Sequence, residues 1–210
     1  MTHRHPVLRV LALLCVAVAS LALAGGAVAR EPVDPSTLTP PPPDFFNASC
    51  TTQGRNILCT LHFSDEPIVD EPSGIVCDGV ELTFSQTRDV VGKRWYSGDG
   101  LLLQRHFRED MAGTLTQPVT GGTVGYVQSN TIIHDLAEPG NVESGISKIT
   151  GNNFRAFIPG GRTILVDAGW FTIDEATGEL VDWAGPKHVD DYFVRGDEHA
   201  LDAICQAVAA

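Results

Sequence analysis

Basic residues are scarce in this chain of 210 residues, which has 14 Lys and Arg against 26 Asp and Glu. Without the first 29 residues, which contain two arginines and no acid, the balance is 12 against 26, a formal charge of −14. Nucleic-acid binding and docking to anionic lipid both require cations that neutralise phosphates. The composition therefore argues against nucleic-acid and membrane-surface partners.

A membrane-spanning run is also missing. The longest apolar run, Val10–Ala24, is shorter than the roughly 20 residues that cross a bilayer. It follows two arginines and is followed by Ala27-Val28-Ala29, an A-x-A cleavage motif. We therefore predict a signal peptide over residues 1–29, cleavage before Arg30, and a secreted, extracellular product without a membrane anchor.

The chain has no C-x-x-C pair, the spacing that is typical of a zinc site. The predicted mature protein has four cysteines, and an even number in an exported chain indicates two disulfides with three possible pairings. We favour Cys50–Cys59 across a turn at Gly54, and Cys77–Cys205 between an early strand and the last helix. No metal site is predicted.

Catalytic signatures are missing too. The sequence contains no G-x-S-x-G, no H-E-x-x-H, no phosphate-binding loop and no G-x-G-x-x-G. Because the phosphate- and dinucleotide-binding motifs among them are missing, no cofactor is predicted. Turnover has to be argued from individual polar residues instead.

What is present is a series of short β-rich runs separated by glycine turns. Phe154–Ile158 and Thr163–Ala168, for example, flank Pro159-Gly160-Gly161. We predict one all-β domain over residues 45–210, an antiparallel meander that is closed into a barrel or folded into a sandwich. The proline-rich residues 30–44 are predicted to form an extended spacer ahead of it.

The period changes at the end of the chain. Leu201, Ile204, Cys205 and Val208 follow the spacing i, i+3, i+4, i+7, which predicts one apolar face of a helix. With Asp197 as its N-cap, the single C-terminal helix is predicted at about 197–209.

Turn and core-strand motifs recur between Thr114 and Phe193. They are Thr120-Gly121, Thr150-Gly151, Pro159-Gly160-Gly161, Ile164–Gly169, Gly178 and Gly185. These motifs resemble those of a group of uncharacterised exported β-rich proteins, and their arrangement is similar to that of the calycin-type barrels, which include lipocalins and the allene oxide cyclase barrel. The resemblance implies a small calycin-like barrel, and no catalytic residue is carried over from it.

Four polar residues are acid–base candidates. His188 and Asp190 lie together in GPKHVDDYF, whereas His134 and Asp167 lie on predicted strands. A histidine oriented by a carboxylate can act as a general base. The alternatives are that GPKHVDDYF flanks or caps a turn and that the strand residues lie on an outer, solvated face.

Arg105, His106, Tyr126 and Trp170 are candidate ligand-lining residues on the strands. Three functions stay open at this point. The first, which we favour, is a monomeric β-barrel that binds a small apolar or amphipathic ligand without turnover. The second is an isomerase, cyclase or hydrolase with a His/Asp acid–base site. The third is an extracellular interaction module with a filled core.

Overall fold

The computed structural model describes residues 30–209, in which ten strands and two short helices follow one another along the chain. The predicted signal peptide lies outside the described residues. The strands are β1 (Pro32–Val33), β2 (Asn47–Gln53), β3 (Asn56–Ser64), β4 (Ile68–Cys77), β5 (Val80–Tyr96), β6 (Leu102–Thr116), β7 (Thr123–Asp135), β8 (Ile146–Phe157), β9 (Thr163–Asp174) and β10 (Leu180–Ala184), and the helices are α1 (His188–Phe193) and α2 (Asp202–Ala209).

All ten strands belong to one sheet, and neighbouring strands always run antiparallel. The order is β1-β2-β3-β5-β6-β7-β8-β9-β10, and β4 also pairs with β5. Strand β5 has 17 residues, so β3 can pair with its C-terminal half while β4 pairs with its N-terminal half. The predicted all-β antiparallel meander with a C-terminal helix is confirmed.

The sheet does not close into a barrel. Among the described strands, no pairing joins β10 back to the opposite edge of the sheet. Of the two predicted forms, the closed barrel is therefore not adopted. The physical reason is that other elements cover the apolar ends of the sheet, so that closure is not needed to bury them.

One face of the sheet, which we call the inner face, carries two separate cores. At one end, Leu82, Leu115 and Val124 are buried against side chains from α2. At the other end, Tyr96 and Leu102 are buried with Leu38 from residues 32–44, which we call the N-terminal segment. The strand register puts both groups on the same side of the sheet. The middle of the inner face lies between them.

Within residues 30–44, predicted as a spacer, the stretch from Val33 to Pro41 packs against this second core. Leu38 is 3% exposed, and the Tyr96 hydroxyl donates to the carbonyl of Pro40 at 3.1 Å. Nη1 of Arg94 donates to the carbonyl of Pro41 at 3.1 Å. Prolines favour an extended chain, and here the extended chain presents its carbonyl groups to buried donors on the sheet.

Both predicted disulfides are confirmed. Cys50 and Cys59 face each other across β2 and β3. The bond between Cys77 and Cys205 joins β4 to α2 over a separation of 128 residues. The second bond therefore attaches the C-terminal helix to the sheet.

Helix α2 begins five residues later than the predicted start, because Asp197 caps a separate turn. Its carboxylate accepts the amide of His199 at 3.0 Å, and its carbonyl accepts the amide of Ala200. The apolar face of α2 then enters the first core through Ile204 and Val208. In the described part of the chain, neither helix has the length and apolarity that a bilayer crossing requires.

Candidate functional site

The middle of the inner face is an open groove between the two cores. Its apolar floor comes from four neighbouring strands, β6 to β9, and consists of Phe107, Ile132, Ile149, Phe171 and Ile173. Ile149 is 8% exposed and the other four are half-buried. Because alternate residues of a strand share a face, these side chains all project to the same side. We call this depression the inner groove.

The size of the inner groove suits a small molecule. Its volume is about 440 Å³, within the roughly 300–1,000 Å³ that is typical of ligand sites. Along β6 it runs from Arg105 to Glu109, which corresponds to roughly 14 Å at about 3.4 Å per residue. Four strands about 4.8 Å apart give it a similar width. A molecule of two fused rings or a medium-length acyl chain fits these dimensions.

An aromatic wall borders the groove on the side of β5. Phe46 stacks on Phe107 with ring centroids 5.8 Å apart, and the Phe63 ring meets Phe46 edge-on with centroids 5.7 Å apart. A Cβ on Gly92 would lie 2.4 Å from the Phe107 ring. The missing side chain of Gly92 therefore leaves the space over β5 into which that ring leans.

A hydrogen-bonded chain of polar groups forms the other end of the groove. Nε of Arg105 donates to Nδ1 of His134 at 2.8 Å, and Nε2 of His134 lies 2.7 Å from the carbonyl of Ser144. Since a carbonyl only accepts, Nε2 carries the proton and Nδ1 is the acceptor. Glu175 lies beside Arg105 and accepts the hydroxyl of Ser147.

These contacts define what His134 can do. The side chain is fully buried, and both ring nitrogens already have a protein partner. A general acid or base needs a nitrogen within reach of its substrate. His134 therefore orients Arg105, and its ring presents no free nitrogen to the groove.

Asp167 and His188 were considered separately in the sequence, and the structure brings them together. Oδ1 of Asp167 lies 2.6 Å from Nδ1 of His188 and also accepts the His188 amide at 2.9 Å. Oδ2 accepts the amide of Val189 at 2.8 Å. Asp167 is 2% exposed, so its carboxylate attaches the start of α1 to β9. Neither residue lines the inner groove.

Asp190 lies in the first turn of α1. Burial, together with the nearby charge of Asp167, raises the pKa of Asp190 above its ordinary value of 3.8. The ionised carboxylate is thus less favourable in the folded protein than in the unfolded chain.

We therefore expect Asp190→Asn to raise stability at pH 7. A raised pKa in the folded state means that ionised Asp190 opposes folding above that pKa, whereas the protonated group below pH 3.8 does not. The gain should be complete at pH 7 and disappear as the pH falls towards 3. Thermal unfolding of both proteins at pH 7 and pH 3 measures it, and a variant less stable than the parent at pH 7 would contradict the assignment.

Of the four predicted lining residues, the inner groove contains Arg105. The strand register puts His106 and Trp170 on the opposite, outer face. There the ring centroids of His106 and Trp95 are 4.5 Å apart, and the ammonium group of Lys148 lies over the Trp170 ring. Tyr126 is on the inner face but belongs to the first core. Burial raises its pKa to about 12, and its hydroxyl donates to Gln86 at 2.9 Å.

The apolar floor was missed because its members are ordinary strand residues. Ile132 and Ile149 have the alternation that any half-buried strand shows. The pattern identifies the face but not which part of that face stays uncovered. Only the positions of α2 and of the N-terminal segment decide that.

A second depression, of about 730 Å³, lies between α2 and the turn after β8. Its apolar lining includes the short side chains of Ala203 and Ala207, and its charged group, Arg162, is exposed. Ile158, Pro159 and Ile164 add apolar area to it, but it lacks a charged group that a buried hydrogen-bond partner holds in place, as His134 holds Arg105 in the inner groove. The smaller inner groove is the better candidate site.

Within residues 30–209, no three His, Cys, Asp or Glu side chains come together in a way that could hold a metal ion. Comparison with known proteins finds no matching family model, no matching curated protein and no matching solved structure.

Proposed function

We propose that this protein is secreted and binds a small apolar or amphipathic molecule in the inner groove, without turnover. The observation that carries the proposal is the uncovered apolar floor, formed by Phe107, Ile132, Ile149, Phe171 and Ile173 between two filled cores. Both ends of the same face are covered by other parts of the chain. The middle is not, so a ligand is the natural means of removing its apolar area from water.

Binding without turnover is supported by what the polar residues already do. Both nitrogens of His134 and both carboxylate oxygens of Asp167 have protein partners. Hydrogen bonds of this kind hold the scaffold in one geometry, as a binding site requires. Export is supported by the two disulfides, which persist in oxidising compartments.

The proposal predicts saturable binding of the neutral fluorescent probe N-phenyl-1-naphthylamine by the mature protein. Ile132→Lys should weaken this binding at least about tenfold, because it puts a charge in the middle of the apolar floor, where an unpaired charge is costly. A fluorescence titration of both proteins measures the change.

The matched control is Ile133→Lys. Ile133 is the next residue of β7, is also half-buried and faces the outer side of the sheet. The same substitution there should leave probe affinity within about twofold. Wild-type protein that does not bind the probe, or equal losses in the two variants, would show that the groove is not a ligand site.

A further inference from the structure

Two arginines lie side by side at one end of the inner groove. Arg94 on β5 and Arg105 on β6 are direct partners across the strands, and both face inward. Arg94 is 4% exposed. Among the described residues, Glu175 alone provides a carboxylate within ion-pair distance of either guanidinium, with its Oε2 atom 3.8 Å from Nη2 of Arg105.

This arrangement leaves an excess of positive charge. Like charges directly opposite each other on neighbouring strands destabilise a sheet, and partial burial strengthens their repulsion. Burial lowers the pKa of the Arg105 guanidinium and so does Arg94, while Glu175 raises it. At this end of the groove two cations face one carboxylate, in a chain whose predicted mature form carries a net charge of −14. The other carboxylate of the lining, Glu109, lies at the opposite end of β6's share of the groove and is paired with Arg88.

Arg105 is also held in a fixed orientation. His134, which is fully buried, accepts its Nε–H, so this edge of the guanidinium is occupied. In the part of the chain that the structure describes, neither terminal nitrogen of Arg105 donates a hydrogen bond to a protein group. The side chain lines the groove and is 23% exposed.

Arg94 has a different role. Its Nη1 atom donates to the carbonyl of Pro41 and lies 3.4 Å from the hydroxyl of Tyr96. Those contacts keep it beneath the N-terminal segment, outside the lining of the groove. Arg94 thus adds charge to this end of the groove, whereas Arg105 supplies free donors.

We propose that the ligand of the inner groove is an amphipathic monocarboxylate, whose carboxylate accepts hydrogen bonds from the terminal nitrogens of Arg105 and whose apolar part lies along the floor. The inference rests on the proposed function and adds the ligand class to it. The planar guanidinium fork matches the two oxygens of a carboxylate. The negative charge of the ligand, together with that of Glu175, balances the two positive charges of Arg94 and Arg105.

The test compares decanoate with 1-decanol, which have the same ten-carbon chain and differ in the head group. Each displaces N-phenyl-1-naphthylamine from the mature protein at pH 7.5, where the carboxyl group of decanoate is ionised. A charge-assisted hydrogen bond is worth enough to make decanoate bind roughly 10- to 100-fold more tightly than 1-decanol. Equal affinities would overturn the proposal.

Two variants add independent readouts. Arg105→Gln should remove the preference for decanoate and leave 1-decanol binding in place. Glu175→Gln removes the competing carboxylate, so it should strengthen the binding of decanoate and not that of 1-decanol. Arg155→Gln, the same change on the exposed outer face, should leave the preference as it is. If Arg105→Gln is poorly folded, the comparison in the wild-type protein and the effect of Glu175→Gln still decide the matter.

The two proposals fail in different ways. Wild-type protein that binds neither the probe nor the ten-carbon compounds contradicts the ligand-binding function itself. If the wild-type protein binds the probe and binds decanoate and 1-decanol equally, the ligand-binding function stands and the proposed carboxylate ligand is contradicted.

Discussion

Replacing Cys77 and Cys205 together by alanine is expected to lower the free energy of unfolding by about 5 kcal/mol in chain-entropy terms, because the bond closes a very long loop. The two cysteines are 128 residues apart. Helix α2, which carries Cys205, buries Ile204 and Val208 in the first core, and Leu201 just before the helix is buried there too. Losing the bond should therefore also expose that core as α2 separates more easily.

Urea denaturation of the oxidised parent and of the double variant measures this effect. The matched control replaces Cys50 and Cys59, whose separation is 9 residues, and its expected loss is about 2.5 kcal/mol by the same relation. These two cysteines also remain partners across β2 and β3, so the sheet holds them together without the bond. A smaller loss for Cys77/Cys205 than for the control would refute the idea that the long bond holds α2 in place.

The second large effect is expected for Asp167→Asn, at about 2–3 kcal/mol of lost stability. The buried carboxylate accepts from the amides of His188 and Val189 and from the His188 ring. An amide side chain keeps the shape but turns one acceptor into a donor, which leaves a buried N–H without an acceptor. The start of α1 should then detach from β9.

Chemical denaturation gives the stability, and hydrogen exchange of the α1 amides shows where it is lost. Asp197→Asn is the control, because Asp197 also accepts a backbone amide but lies in an exposed turn. Asparagine caps such turns about as well as aspartate, so a change within about 0.5 kcal/mol is expected there. Equal effects at the two positions would mean that burial of Asp167 is unimportant.

Much of the framework follows from local patterns in the sequence. Glycine turns between short β-rich runs predict an antiparallel meander, and four cysteines in an exported chain predict two disulfides. The helical spacing of Leu201, Ile204 and Val208 predicts the helix that enters the first core. Each of these features depends on residues close together in sequence or on a simple count, which is why it can be predicted.

The remaining features depend on register and on what covers the sheet. Whether Arg105 or His106 faces the groove depends on how β6 pairs with β5, because a shift of one residue exchanges the two faces of a strand. The calycin resemblance, which no comparison tests, predicts a closed barrel, whereas the described strands form an open sheet. The open sheet is what leaves a groove between the two cores.

By itself, the sequence determines the β-rich character, the presence of two disulfides, the C-terminal helix and the acidic composition of this protein. The tertiary structure alone decides that Arg94 lies beside Arg105, that Asp167 meets His188, and that the middle of the inner face stays open. The physical reason is that strand periodicity orients each side chain within its own strand, while long-range pairing and the covering segments determine its neighbours.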